Sequence, residues 1–142
     1  MSPFLLDTSS YVSALRRGDY EVLALRTLAH DGPLWLSAVV LEELYAGAGE
    51  RDREILERME RDFELARRIL TPSLSDWVQA GKVLARLAAR YHYEKIGRGR
   101  LTNDALIAMS AARLNIRIIT ANARDFRRLA EFREFQWQVI AF

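Results

Sequence analysis

Cysteine is absent from the 142 residues, which removes disulfides, thiolate metal sites and cysteine nucleophiles together. Histidine occurs twice, as His30 beside a turn and His92 at a helix end between two tyrosines. Both are read as structural, so little imidazole chemistry is on offer. No apolar run reaches the ~18 residues of a membrane span, and Met1 to Leu6 is too short and too uncharged for a secretory signal. A cytoplasmic protein without a membrane partner is expected. Lysine is nearly missing: the 21 basic residues are all arginine but for Lys82 and Lys95.

Half of the chain is hydrophobic, enough to bury a core, and the length suits one domain over residues 1–142. The net charge is only +2. Arginine keeps its charge and forks onto phosphate or carboxylate, so the bias fits a nucleic-acid substrate or an acidic partner. A GC-rich genome explains it equally well.

Strand and helix signals alternate. Phe4 to Leu6 reads as a buried strand, followed by the cap-forming residues Asp7, Thr8 and Ser9 and a helix through Tyr11, Val12 and Leu15 to Gly18. A second helix is predicted from Tyr20 to Ala29, a turn at Asp31-Gly32-Pro33 and a strand from Leu34 to Leu36. Ser37 caps a helix to about Ala46, broken by Gly47 and Gly49. Glu50 to Ala66 is a charged helix with opposite charges four apart at Glu54 and Arg58 and at Glu57 and Arg61. Arg68 to Thr71 is a strand, and Ser73 to Asp76 a capping box that opens a helix to Tyr91. A basic glycine loop, Gly97 to Arg100, precedes a helix from Leu101 to Leu114. A strand from Ile116 to Thr120, a helix from Arg124 to Ala130 and a strand from Gln136 to Phe142 complete the chain. This alternation predicts an α/β fold, a three-layer α/β/α sandwich around a parallel sheet of about five strands. In such sheets ligands sit beyond the carboxyl ends of the strands, at a switch in strand order.

Asp7, Glu43, Asp104, Asn122 and Asp125 fall at strand ends or on small-residue helix faces. Each has a plain structural explanation: Asp7 as a helix cap, Asp104 as an acid at a helix start, Asn122 and Asp125 as caps of the next helix. On a helical wheel Glu43 lies between Val39 and Val40 with Gly47 beside it, while Glu42 points away; a side chain of that length also reaches solvent from such a place. Their joint occurrence points further, because acids pushed toward a core must be paired, protonated or coordinated. An oxygen-only set suits Mg²⁺ or Mn²⁺ and suits zinc, copper or iron poorly. Such a cation supports phosphodiester hydrolysis. Thr8, Ser9 and Thr120 stand close enough in sequence to hydrogen-bond the acids, or simply to cap and terminate elements. Arg98 and Arg100, on the glycine-jointed loop, would reach an RNA phosphate or remain solvated. Trp35, Trp77 and Trp137 are read as core or dimer-interface residues rather than base-stacking platforms.

Leu-Asp-Thr-Ser at 6–9, Ser-Ala-Val-Val-Leu-Glu-Glu-Leu-Tyr-Ala-Gly at 37–47, Asn-Asp-Ala-Leu-Ile-Ala at 103–108 and Thr-Ala-Asn-Ala-Arg-Asp-Phe at 120–126 resemble the motifs of VapC-type PIN-domain toxins. Each is weak alone; all four in this order and spacing are specific. The resemblance implies a Mg²⁺- or Mn²⁺-dependent endoribonuclease, the toxin of a type II toxin-antitoxin pair, homodimeric and held inactive by a VapB-like antitoxin in a larger complex. It assigns Asp7, Glu43 and Asp104 to the metal. It places Asn122 at the fourth position, where a neutral amide orients a water or ligand and Asp125 supplies the fourth negative charge; which of the two lies nearer the metal stays open. By the same analogy the antitoxin docks in an apolar groove between early helices, using Tyr11, Leu15 and the helix from Glu50. A housekeeping RNA-processing PIN nuclease without antitoxin is the alternative within the class. Outside it stand a receiver-like phospho-acceptor, which wants a lysine at a late strand end, and a non-catalytic RNA-binding domain.

Overall fold

The computed structural model describes residues 2–18, 32–92 and 100–139. Five strands, β1 (Phe4–Leu6), β2 (Leu34–Ser37), β3 (Ile69–Leu70), β4 (Arg117–Thr120) and β5 (Trp137–Val139), form one parallel sheet in the order β3-β2-β1-β4-β5. The central strand has no polar residue because both of its faces are covered: Phe4, Leu5 and Leu6 are all buried, as all-parallel sheets require. Leu5 pairs with Trp35 on one side and Ile118 on the other.

Six helices among the described residues cover the sheet: α1 (Thr8–Arg16), α2 (Ala38–Gly47), α3 (Glu50–Leu65), α4 (Leu74–Tyr91), α5 (Arg100–Arg113) and α6 (Ala123–Ala130). The chain steps from β1 to β2 to β3 toward one edge and then returns past β1 to β4 and β5. Right-handed crossovers therefore put α1 to α3 on one face and α4 to α6 on the other. The α/β sandwich is thus present with the predicted number of strands. Each helix buries one stripe; on α3 it is Leu56, Met59 and Phe63, leaving most of the Glu and Arg residues of that helix in water. No helix among the described residues is long and apolar enough to cross a membrane.

Several expectations change in detail. Glycine does not break α2 at Gly47; the helix runs through it to a C-cap at Ala48. Arg100 begins α5 rather than ending a loop. Asp104 consequently lies in the second turn of α5, so the helix-start explanation for its charge does not apply. Trp35 and Trp137 pack on the core, whereas Trp77 is 56% exposed. Tyr11 is fully buried and cannot meet a docking partner. The expected helix over residues 20–29, His30, Lys95, Arg98 and the last three residues of the final strand lie outside the described residues, as does the Arg100 side chain.

Candidate functional site

The switch in strand order lies between β1 and β4, and the carboxyl ends of these two strands open into a cleft of about 360 Å³. Asp7 follows β1 directly, its backbone N–H donating to the Ile119 carbonyl of β4 at 3.2 Å. Glu43 comes down from α2 and Asp104 from α5, two helices that pack on each other across this end of the sheet. Asn122 follows β4. These four side chains, from four separate parts of the chain, all line the cleft. The wheel reading of α2 holds: Glu42 is exposed and Glu43 half-buried.

Neutral groups hold the acids in place. Asp7 is 3% exposed. It occupies the N-cap position of α1, yet its side chain makes no capping bond. Instead Asp7 Oδ1 accepts from Ser9 Oγ at 2.7 Å and Ser10 Oγ at 3.3 Å, and Oδ2 accepts from Thr120 Oγ1. Thr120, fully buried, in turn accepts from the Asn122 backbone N–H at 2.9 Å. Thr8 Oγ1 donates to Glu43 Oε1 at 2.6 Å. Neither Asp7 nor Glu43 forms an ion pair with a basic side chain among the described residues. The Tyr11 phenol, buried beneath, is pushed upward by burial and then by the charge of Asp7.

Asn122 and Asp125 divide the work that the sequence leaves open between them. Asn122 caps α6, its Oδ1 accepting from the Asp125 N–H at 3.4 Å, and its Nδ2 donates to Asp125 Oδ2 at 3.0 Å and Asp104 Oδ2 at 3.5 Å. Asp125 does not line the cleft; its other oxygen accepts from its neighbour Arg124 at 3.4 Å. The amide thus faces the cleft, with the carboxylate behind it.

Among the described residues no three acidic or imidazole side chains converge closely enough to hold a metal as they stand. The donor chemistry nonetheless fits a hard divalent cation: carboxylate oxygens and an amide, with a buried Asp7 that only hydroxyls oppose. A receiver-like site would want a lysine here, and Lys82 is exposed on α4, away from the cleft lining.

Sequence reasoning missed four of the residues around the acids. Ser10 stands three residues from Asp7, a spacing that itself suggests contact. Ser13, Arg16 and Arg17 line the cleft from further along α1, and only the helix orientation reveals this.

A family model described as PIN domain matches residues 4–132. Among curated proteins none matches the sequence. The structure of VapBC2 from Rickettsia felis, bound to a DNA fragment from their promoter, contains a similar chain at 22% identity and a TM-score of 0.65, covering 97% of this chain and 98% of that one. DNA-bound VapBC from Salmonella typhimurium matches at 20% identity and a TM-score of 0.65 over 98% of each chain. VapBC-1 from nontypeable Haemophilus influenzae matches at 25% identity and a TM-score of 0.58 over 96% of each.

Proposed function

The chain belongs to the PIN domain family, whose members are nucleases, and resembles the VapC-type group within it; from this we propose that it is a Mg²⁺- or Mn²⁺-dependent endoribonuclease, a single nuclease domain over residues 1–142. The observation that carries the reading is the convergence of Asp7, Glu43, Asp104 and Asn122 on one cleft at the switch point of the sheet. Asp7, Glu43 and Asp104 would hold the cation. When bound, it supplies charge neutralisation at the phosphodiester and a water of lowered pKa. The protein's own part is positioning. Ser9, Ser10 and Thr120 fix both oxygens of Asp7, and Thr8 fixes Glu43. Asn122, braced by Asp125, donates its other amide hydrogen to Asp104, where a fourth carboxylate would repel that acid.

We assign the toxin role on the likeness to chains of VapBC structures. The partner is a VapB-like antitoxin, and the toxin is a cytoplasmic homodimer within the larger complex. The seat we assign to the antitoxin is a groove between α1, α2 and the start of α3, where Val12, Leu15, Leu44 and Ala48 stand beside Arg16, Glu43 and Asp52. Arg98 and Arg100 remain candidates for RNA contact.

Purified protein incubated with RNA is expected to cleave internally with Mn²⁺ or Mg²⁺ and to stop on adding EDTA. Cleavage that persists in EDTA would remove the cation from the reading. Saturating Mn²⁺, at a hundred times its dissociation constant, should raise unfolding stability by about 2.7 kcal/mol, and Asp7→Asn should abolish that increment. Expression without the antitoxin should arrest growth; unimpaired growth with full cleavage in vitro would favour a processing nuclease instead.

A further inference from the structure

We propose that Arg16 and Arg17, with Ser13, form a phosphate-binding subsite that seats the RNA backbone next to the cleavage point; this rests on the nuclease reading above. The cleft floor is one surface strip of α1. Thr8, Val12 and Arg16 form one row at four-residue spacing and Ser9, Ser13 and Arg17 a second, and all six residues line the cleft. Four residues make slightly more than one helical turn, so each row runs nearly along the helix axis. The strip therefore changes character in order. At its start Thr8 and Ser9 hold the carboxylates, in the middle stand a methyl-bearing side chain and a hydroxyl, and at its end come two guanidinium groups.

Charge and distance agree with this assignment. From Asp7 to Arg16 the helix rises roughly 13 Å at 1.5 Å per residue, an offset along the cleft suited to a neighbouring phosphate on an extended strand. Neither Arg16 nor Arg17 uses its side chain in a hydrogen bond, ion pair or ring contact among the described residues. Other arginines are engaged: Arg113 with Asp76, Arg124 with Asp125, Arg86 over Phe132. A polyanion entering an acidic cleft is repelled unless cationic groups flank the acids, and guanidinium forks match phosphate oxygens. Ser13 lies between the two ends and adds a neutral donor.

The test combines binding and kinetics on the full chain. In EDTA, where cleavage is expected to be silent, Arg16→Ala/Arg17→Ala should weaken single-stranded RNA binding about tenfold or more. It should also reduce the slope of log affinity against log salt by about 1.4, two phosphate contacts at ~0.7 each. With Mn²⁺ the double variant should raise KM and leave kcat near wild type. Arg16→Lys/Arg17→Lys should restore most of the salt slope. Arg53→Ala/Arg58→Ala, on the exposed face of α3, should change neither. Wild-type cleavage with an unchanged KM and salt slope in the alanine variant would overturn the subsite and leave the nuclease standing. No wild-type cleavage, with RNA binding that depends on the arginines, would overturn the nuclease reading and support the subsite as a binding feature.

Discussion

Two aspartates that line different hollows of the molecule are buried equally, Asp7 and Asp76 each being 3% exposed, yet their surroundings differ in kind. Asp76 completes a capping box with Ser73 at the start of α4 and accepts from Arg113 Nε with both oxygens, at 3.2 and 3.0 Å. Its charge is balanced inside the protein. Asp7 meets only hydroxyls among the described residues, which orient a carboxylate without cancelling it. A buried acid with a cationic partner belongs to the fold; one held by neutral donors at a cleft leaves its charge for something that arrives from outside.

The contrast breaks most visibly at Asp7. Asp7→Asn should reduce RNA cleavage roughly a thousandfold, equivalent to ~4 kcal/mol of barrier, while its metal-free thermal midpoint stays level or rises. A variant that unfolds instead would place Asp7 in the same class as Asp76. Asp76→Asn should show the converse: about 2 kcal/mol lost in denaturant unfolding, the usual cost of breaking a buried pair reduced because Arg113 is partly exposed. Its cleavage per folded molecule should be close to wild type. Thr120→Val keeps the shape but removes the donor to Asp7, and should slow cleavage by about tenfold; Thr120→Ser should recover most of it. The smallest effect concerns a third carboxylate. Tyr45 donates to Glu60 at 2.7 Å, and burial, followed by that acid, pushes its phenol up to about 12. The folded value lies above the ordinary 10.0, so this stabilisation is complete below pH 10 and fades as the pH rises toward 12. Tyr45→Phe should therefore flatten the stability profile over that interval, measured by urea unfolding; an unchanged slope would disconnect the pair from folding.

Most of the strands were legible because they are short apolar runs between turn or cap residues, and the acidic set was legible because Asp7 and Asn122 follow strands while Glu43 and Asp104 sit on helix faces beside small or apolar residues. Glu43 separated from Glu42 by helical phase alone. Asp104 did not yield its helical turn, since α5 begins at Arg100, a residue whose glycine neighbours suggested a loop. Ser73 and Asp76 showed their capping box locally, but Arg113 lies 37 residues away from Asp76 and no local pattern announces it. Arg16 and Arg17 carry no local signal of a site. What they face is decided by which side of α1 turns toward β4 and α5, and that is a property of the packed sheet.

Val12, Arg16 and Glu43 each border both the acidic cleft and the groove beside it. The two hollows are neighbouring rooms with a common partition. Whatever fills the second touches three side chains that also wall the first, so an occupant of either is felt at the partition of both.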